Sequence, residues 1–167
     1  MSDPRIRPAT LADAAQIVDI YNHYIATSYA TFEVDPIDAA EMATRIEDVL
    51  AGGYPFFICE QESEIVGYAY GHQYRPRPAY RYSAETSVYI KPGHEGKSIG
   101  TMLYEKLFAE LKNGELHAII AGISLPNDAS VRLHEKFGME KVAHFREVGR
   151  KFDRWIDVGY WEIVVHK

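Results

Sequence analysis

The chain has 167 residues, of which 47% are hydrophobic and 25% charged, and its formal net charge is −6. This length and composition are typical of one soluble globular domain with a substantial core, so we expect a single domain over residues 1–167. The acidic balance argues against a general nucleic-acid binder. The sequence has no run of about 18 apolar residues, which predicts no membrane span, and its polar N-terminus predicts no secretory signal.

The cysteine and histidine content restricts both compartment and metal chemistry. Cys59 is the one cysteine, and it lies in the apolar segment PFFIC, where it fits a small core residue. A single thiol excludes an internal disulfide and fits a reducing compartment, so we expect a cytoplasmic protein. The seven histidines show no paired spacing with other ligands, and we therefore expect no metal site.

Taken in chain order, hydrophobic periodicity predicts the elements β-α-α-β-β-β-α-β-α-β-β. A first strand around Ile6 stops at Pro8, and Thr10 with Asp13 has the spacing of a helix capping box. Two strands are expected on either side of a polar turn at 61–64, and further strands at 86–90, 117–123, 140–149 and 157–165. Helices are expected at about 10–26, from 35 or 38 to 51, from 98 to about 113, and from 128 to about 137. Asp128 is the expected cap of the last helix. This order favours a mixed α/β fold with helices packed on one sheet.

The segment ETSVYIKPGHEGKSIGTMLY, residues 85–104, predicts a strand, a glycine-containing loop and a helix start. Gly93, Gly96 and Gly100 allow backbone N–H groups to approach a ligand closely. The first N–H groups of a helix are unpaired and carry a partial positive charge, which favours an anion such as a polyphosphate. Taken alone, the pattern is equally typical of an ordinary turn.

The loop before this strand is basic, although the chain as a whole is acidic. Between Arg75 and Lys97 there are five Lys or Arg residues and two acidic ones. Pro76 and Pro78 exclude a central strand here, because proline cannot donate to the ladder. We expect a loop that meets a small anionic ligand; the alternative is a solvated basic loop.

Two motifs resemble those of the GNAT superfamily of N-acetyltransferases. The loop pattern Gln/Arg-x-x-Gly-x-Gly/Ala is filled by residues 95–100, with Glu95 in place of Gln/Arg and Ser98 in place of the first Gly. The later pattern Asn-x-x-Ser-x-x-Leu-Tyr-x-x-x-Gly-Phe is filled by residues 127–139, with His134 at the tyrosine position. The phosphinothricin N-acetyltransferase subgroup is more similar still, in segments such as AYRYSAETSVYI and RKFDRWIDVGYWE over nearly the whole chain.

The resemblance implies a mixed, mostly antiparallel sheet flanked by helices, with acetyl-CoA at the strand–loop–helix after the fourth strand. It also implies a homodimer. The residues that the resemblance assigns to acetyl-CoA are Val88, Tyr89, Ile90, Glu95, Gly96, Lys97, Ser98, Ile99, Gly100, Thr101, Asn127 and Ser130.

Acetyl transfer to an amine requires a base, and Glu85 occupies the matching position at the start of the cofactor strand. A carboxylate in a partly closed cleft can have its pKa raised toward neutrality. The alternative is a surface glutamate paired with Arg81. His134 is a second catalytic candidate, sharing proton transfer or binding substrate, and a backbone N–H near Val88 or Tyr89 would polarise the thioester carbonyl.

The matching acceptor positions predict a small amino acid or analogue, of the phosphinothricin or methionine sulfoximine type, acetylated on its α-amine. Guanidinium groups suit the carboxylate of such a substrate, and Arg77 fills the matching arginine position. The candidate acceptor residues are Phe32, Arg75, Arg77, Tyr80, Tyr89, Lys151 and Val158. Phe32 and Tyr80 are also compatible with the core or rim, and Lys151 with a dimer rim. The alternatives are acetylation of a peptide N-terminus, a polyamine or an antibiotic amine, and a non-catalytic acyl-CoA sensor.

Overall fold

The computed structural model describes residues 2–165 and folds them into one seven-stranded sheet with helices on both faces. The strands are β1 (Arg5–Pro8), β2 (Phe56–Gln61), β3 (Glu64–Gln73), β4 (Ser83–Ile90), β5 (Ala118–Leu125), β6 (Glu140–Lys151) and β7 (Arg154–Val164). The helices are α1 (Ala14–Thr27), α2 (Ala39–Ala51), α3 (Ile99–Asn113) and α4 (Asp128–Lys136), with 3-10 turns at Leu11–Asp13 and Pro78–Tyr80.

The strands lie in the order β1-β2-β3-β4-β5-β7-β6, and each neighbouring pair is antiparallel except β4 and β5. The sheet is therefore mixed and mostly antiparallel, and the helix that precedes β5 is the crossover that parallel strands require. This confirms the predicted fold class.

Alternation along the central strands divides the core into two layers. In β2, Phe56 and Ile58 pack with α1 and α2, whereas Phe57 and Cys59 face the layer that contains α3. Side chains of successive strand residues point to opposite faces, so one apolar run serves both cores. Cys59 is fully buried, as expected for a core thiol.

The parallel strands β4 and β5 pair over a short stretch and then separate. Ser83, Ala84 and Glu85 pair with residues 118–120, and the pairing of the two strands ends there. β4 continues to pair with β3, and β5 with β7, beyond this point. The middle of the sheet consequently opens into a gap that begins at Glu85.

Three local predictions differ from the structure. β4 begins at Ser83 rather than Thr86, because its first residues pair with β5. Asn127, not Asp128, caps α4, since its Oδ1 accepts from the Ser130 N–H at 3.2 Å. The final hairpin has a two-residue turn with φ of 50° and 57° at positions 152 and 153, so β6 and β7 are both longer than predicted.

Within residues 2–165, no helix is long and apolar enough to cross a membrane.

Candidate active site

A cleft of about 690 Å³ occupies the gap between β4 and β5 and continues to the N-termini of α3 and α4. Its walls contain Glu85, His134 and nearly all the residues that the resemblance assigned to acetyl-CoA. Those cofactor candidates are Val88, Tyr89, Ile90, Glu95, Gly96, Ser98, Ile99, Gly100, Thr101, Asn127 and Ser130. Lys97 is exposed and is not part of the wall.

The loop before α3 turns through left-handed backbone conformations at Gly93 (φ 85°), Gly96 (φ 74°) and Ser98 (φ 62°). Glycine adopts these angles without steric cost, whereas a serine at φ 62° is disfavoured. Ser98 thus shows why the family pattern has glycine at this position. The Glu95 carboxylate bends back and accepts from the Gly93 N–H at 2.7 Å, which uses one donor of the loop.

The first turn of α3 packs closely against α4 because Gly100 has no side chain. A Cβ at Gly100 would lie 3.2 Å from Leu133 Cδ2. Both helices present their unpaired N–H groups to the same cleft, where a negatively charged group is stabilised.

Glu85 is the third residue of β4 and faces His72 of β3, its direct cross-strand partner. The two side chains approach to 4.0 Å between Glu85 Oε2 and His72 Nε2. Burial raises the pKa of the Glu85 carboxyl, and electrostatic interactions with His72 and Arg75 offset part of that effect. A carboxyl whose pKa is moved toward neutrality suits general-base work.

His134 lies on the opposite face of β4 from Glu85 and belongs to a buried network. Its Nδ1 lies 2.7 Å from the Ser130 carbonyl, which can only accept, so Nδ1 carries the proton. Its Nε2 then accepts from the Tyr104 hydroxyl at 2.8 Å, and Tyr104 lies 3.3 Å from Thr86 Oγ1. Burial lowers the pKa of His134 and favours this neutral form.

Among the seven acceptor candidates, Tyr89 alone lines the cleft, and the structure does not bring the other six into its wall. Arg75 stacks over the Tyr74 ring at 5.1 Å and acts electrostatically on Glu85. Tyr80 contacts the same Tyr74 ring edge-on at 5.5 Å. Arg77 is exposed at the start of the 3-10 turn.

The other three acceptor candidates, like Arg75, Arg77 and Tyr80, do not line the cleft. The Phe32 ring packs on the backbone of Gly149, where an added Cβ would lie 2.3 Å from it. Val158 is buried within β7. Lys151 is 3% exposed, and its ammonium donates to the carbonyls of Ser28 and Thr31 at 2.7 and 2.9 Å. Lys151 therefore holds the α1–α2 connection in place.

Several wall residues were not predicted from the sequence. Tyr24 donates from its hydroxyl to the Ile90 carbonyl at 2.5 Å, and Ala30 and Thr31 complete the same wall. Tyr104 lies on the buried side of α3 and has the sequence pattern of a core residue. Within residues 2–165, no three His, Cys, Asp or Glu side chains cluster in a way that could hold a metal ion.

Comparison with known proteins identifies the family. The model of the acetyltransferase (GNAT) domain matches residues 6–159. Phosphinothricin N-acetyltransferase of Streptomyces coelicolor is 40% identical, covering 96% of each chain. L-methionine sulfoximine/L-methionine sulfone acetyltransferase of Salmonella typhimurium is 35% identical over 95% of this chain and 92% of that one.

A solved structure supports the same assignment. The GNAT superfamily phosphinothricin acetyltransferase from Sinorhizobium meliloti, in complex with acetyl-CoA, superposes with a TM-score of 0.94. It is 32% identical, with 98% of this chain and 89% of that chain covered. The gap in the sheet, the glycine loop and the family match agree, and the chain belongs to the GNAT acetyltransferases.

Proposed function

We propose that this enzyme transfers acetyl from acetyl-CoA directly to the α-amine of a small amino acid or amino-acid analogue, with Glu85 as general base. The observation that carries the proposal is the half-buried Glu85 carboxylate, which lies at the opening of the sheet and interacts electrostatically with His72 and Arg75. Burial raises the pKa of this carboxyl, so it can take a proton from an ammonium group near neutral pH.

The cleft fits acetyl-CoA by its chemistry. The left-handed loop before α3 directs backbone N–H groups to the place where a diphosphate would bind. Residues 86–90 of β4 do not pair with β5, so this edge is available to an amide-containing pantetheine arm. Bound there, acetyl-CoA supplies an activated acetyl thioester.

The two faces of β4 have different roles in the proposed reaction. Glu85 lies on the face that carries His72 and Arg75, and it receives the proton of the acceptor amine. Thr86, next along the strand, points to the buried network of Tyr104 and His134 on the other face. Because both nitrogens of His134 have partners, its place in the network is structural, and direct contact with the acceptor belongs to the Glu85 face.

The charged groups near Glu85 indicate which class of amine is the acceptor. An α-amino acid carries a carboxylate next to its amine, and Arg75 is the guanidinium that acts on Glu85. A polyamine would place a second cation against these groups, which disfavours it. The relatives named for phosphinothricin and methionine sulfoximine act on amino-acid analogues, in agreement with this choice.

The direct test measures release of free CoA thiol with a panel of amino acids, their methyl esters and their amides. We expect turnover with free acids and a loss of at least about tenfold with esters and amides, as for a missing charged hydrogen bond. Equal rates would favour a peptide or antibiotic acceptor. Acetyl-CoA binding without thiol release from any amine would favour the sensor alternative.

We also propose a cytoplasmic homodimer, with β6 and the final hairpin at its interface. This edge exposes a group of large apolar side chains, namely Val142, Phe145, Val148, Phe152 and Trp155. An exposed apolar edge strand of this kind is typical of a protein–protein interface. Sedimentation equilibrium should give twice the chain mass, and Trp155→Glu should weaken the association.

A further inference from the structure

We propose that His72 is the proton outlet of the active site: it takes from Glu85 the proton that Glu85 removes from the acceptor amine and passes that proton to solvent. The inference assumes the proposed role of Glu85 as general base. It makes His72 a positioning and proton-relay residue that acts through Glu85.

The sheet register provides the geometry. His72 and Glu85 are direct partners of the antiparallel pair β3–β4, so their side chains stand on the same face. His72 Nε2 lies 4.0 Å from Glu85 Oε2. A small side-chain rotation would bring these two atoms within hydrogen-bonding distance.

The orientation of the imidazole is set by its other nitrogen. His72 Nδ1 lies 2.9 Å from the Gln73 carbonyl, which can only accept a hydrogen bond. In the neutral ring, Nδ1 therefore carries the hydrogen, and the lone pair of Nε2 faces Glu85. This is the tautomer that can accept a proton from a protonated Glu85.

The solvent exposure of the two side chains indicates that the proton moves from Glu85 to His72. The His72 side chain is 38% exposed and that of Glu85 28% exposed. An acceptor bound over Glu85 would cover its remaining exposed part, whereas the outer edge of the imidazole would stay in contact with water. On the other side, Glu85 Oε1 faces Gly122, where an added Cβ would lie 3.5 Å away.

The proton count requires an outlet. Converting an ammonium to an amide releases two protons; the departing thiolate takes one, and the other must leave through the base. Glu85 accepts that proton and becomes neutral, then gives it to His72 Nε2. The resulting imidazolium loses it to water or buffer, and both side chains return to their starting forms.

The surrounding groups favour the same path. Arg75 and His72 both act on Glu85 and favour its ionised form. Tyr70 on β3 and Tyr160 on β7 also interact electrostatically with Glu85, the Tyr70 ring packs against His72, and Tyr74 in the loop after β3 interacts with Tyr160. Burial raises the pKa of Tyr160, and the charge of Glu85 adds to this effect, so Tyr160 remains neutral and does not compete for the proton.

The kinetic test uses His72→Gln in weak buffer at neutral pH. We expect kcat to fall about fivefold to tenfold while the KM for acetyl-CoA stays unchanged, since the relay does not touch the cofactor. Added imidazole should restore the rate of the variant in proportion to its neutral form and leave the unaltered enzyme unaffected. Loss of activity without imidazole rescue would overturn the relay, as would an unchanged rate.

His144→Gln is the matched control. His144 also faces a carboxylate, at 2.7 Å from Asp157, and its side chain is 39% exposed, but it lies on β6 outside the cleft. We expect this variant to retain the unaltered rate and to show no response to imidazole.

A titration separates failure of the relay from failure of the proposed function, because it needs no turnover. In protein with ¹³C-labelled glutamate carboxyls, the Glu85 signal is identified by its loss in Glu85→Gln. Because His72 favours the ionised form of Glu85, His72→Gln should move the Glu85 midpoint to higher pH. An unmoved midpoint would overturn the coupling, whichever amine the enzyme acetylates.

Discussion

The Tyr104 hydroxyl donates to His134 Nε2 at 2.8 Å, and both side chains are almost fully buried. The Tyr104 hydroxyl also lies 3.3 Å from Thr86 Oγ1 on β4, and His134 Nδ1 donates to the Ser130 carbonyl on α4. The pair thus connects β4, which carries Glu85, to α4, whose first residues line the same cleft. The pair therefore has consequences for stability as well as for the cleft.

The first prediction concerns this pair. His134→Gln should lower the free energy of unfolding by about 1–3 kcal/mol near pH 7.5, the cost of leaving buried partners unpaired. Burial holds the pKa of folded His134 below its ordinary value near 6.5. Below about pH 6.5 the unfolded chain binds a proton that the folded protein does not, so the contribution of His134 to stability decreases as the pH falls toward its folded pKa.

Urea unfolding at several pH values measures this effect. The difference in unfolding free energy between the unaltered protein and His134→Gln should be greatest above pH 7 and shrink in acid. A difference independent of pH would show that His134 does not enter folding as a neutral group.

The second prediction concerns Glu85. Glu85→Gln should lose roughly 10²–10⁴ in kcat at neutral pH, the usual contribution of a general base, while its affinity for acetyl-CoA is kept. Higher pH should recover part of the loss, because more of the acceptor amine is then already neutral. Calorimetry gives the affinity and a thiol assay gives the rate; unchanged turnover would remove Glu85 from the mechanism.

The third prediction compares two arginines. Sequence matching favours Arg77 as the carboxylate contact, but Arg75 is the one that acts on Glu85 in the structure. We therefore expect Arg75→Ala to reduce the preference for acids over methyl esters by about tenfold, and Arg77→Ala to reduce it less. The ratio of kcat/KM for one acid and its ester, measured for both variants, decides between them. A larger effect at Arg77 would restore the sequence-based assignment.

Much of this site could be predicted from the sequence, because its signals are local. Glycine spacing and apolar runs identify the strand, loop and helix between residues 83 and 113. The contact of His72 with Glu85 could not be predicted, since it depends on the register of two strands joined by an irregular loop. Charged side chains are normally exposed, so nothing local indicates that Lys151 is buried against carbonyls more than 100 residues earlier in the chain.

The fourth prediction concerns Glu95, where the family pattern has Gln or Arg. Its carboxylate accepts from the Gly93 N–H and adds negative charge to a loop suited to phosphates. Glu95→Gln keeps an oxygen that can accept this bond and removes the charge, so acetyl-CoA should bind about twofold to fivefold more tightly at low salt. The gain should shrink as salt screens the repulsion. Weaker binding in calorimetry would mean that the carboxylate stabilises the loop more than it repels the ligand.

The last prediction concerns Lys151, whose ammonium holds the carbonyls of Ser28 and Thr31. Ala30 and Thr31 form part of the cleft wall, so loosening this connection should disturb the acceptor more than the diphosphate. Lys151→Met retains the apolar stem but removes both donors. We expect a loss of about 1–3 kcal/mol in stability and faster amide exchange in residues 28–34.

The kinetic part of that prediction separates positioning from direct substrate contact. If Lys151 positions the wall, Lys151→Met should raise the KM of amino acids and of their methyl esters by a similar factor, because neither loses a charged partner. The exposed Lys106 on α3 gives the control, and Lys106→Met should leave stability and both KM values unchanged. A selective loss for free acids would instead place the Lys151 ammonium on the substrate carboxylate, since only that contact distinguishes an acid from its ester.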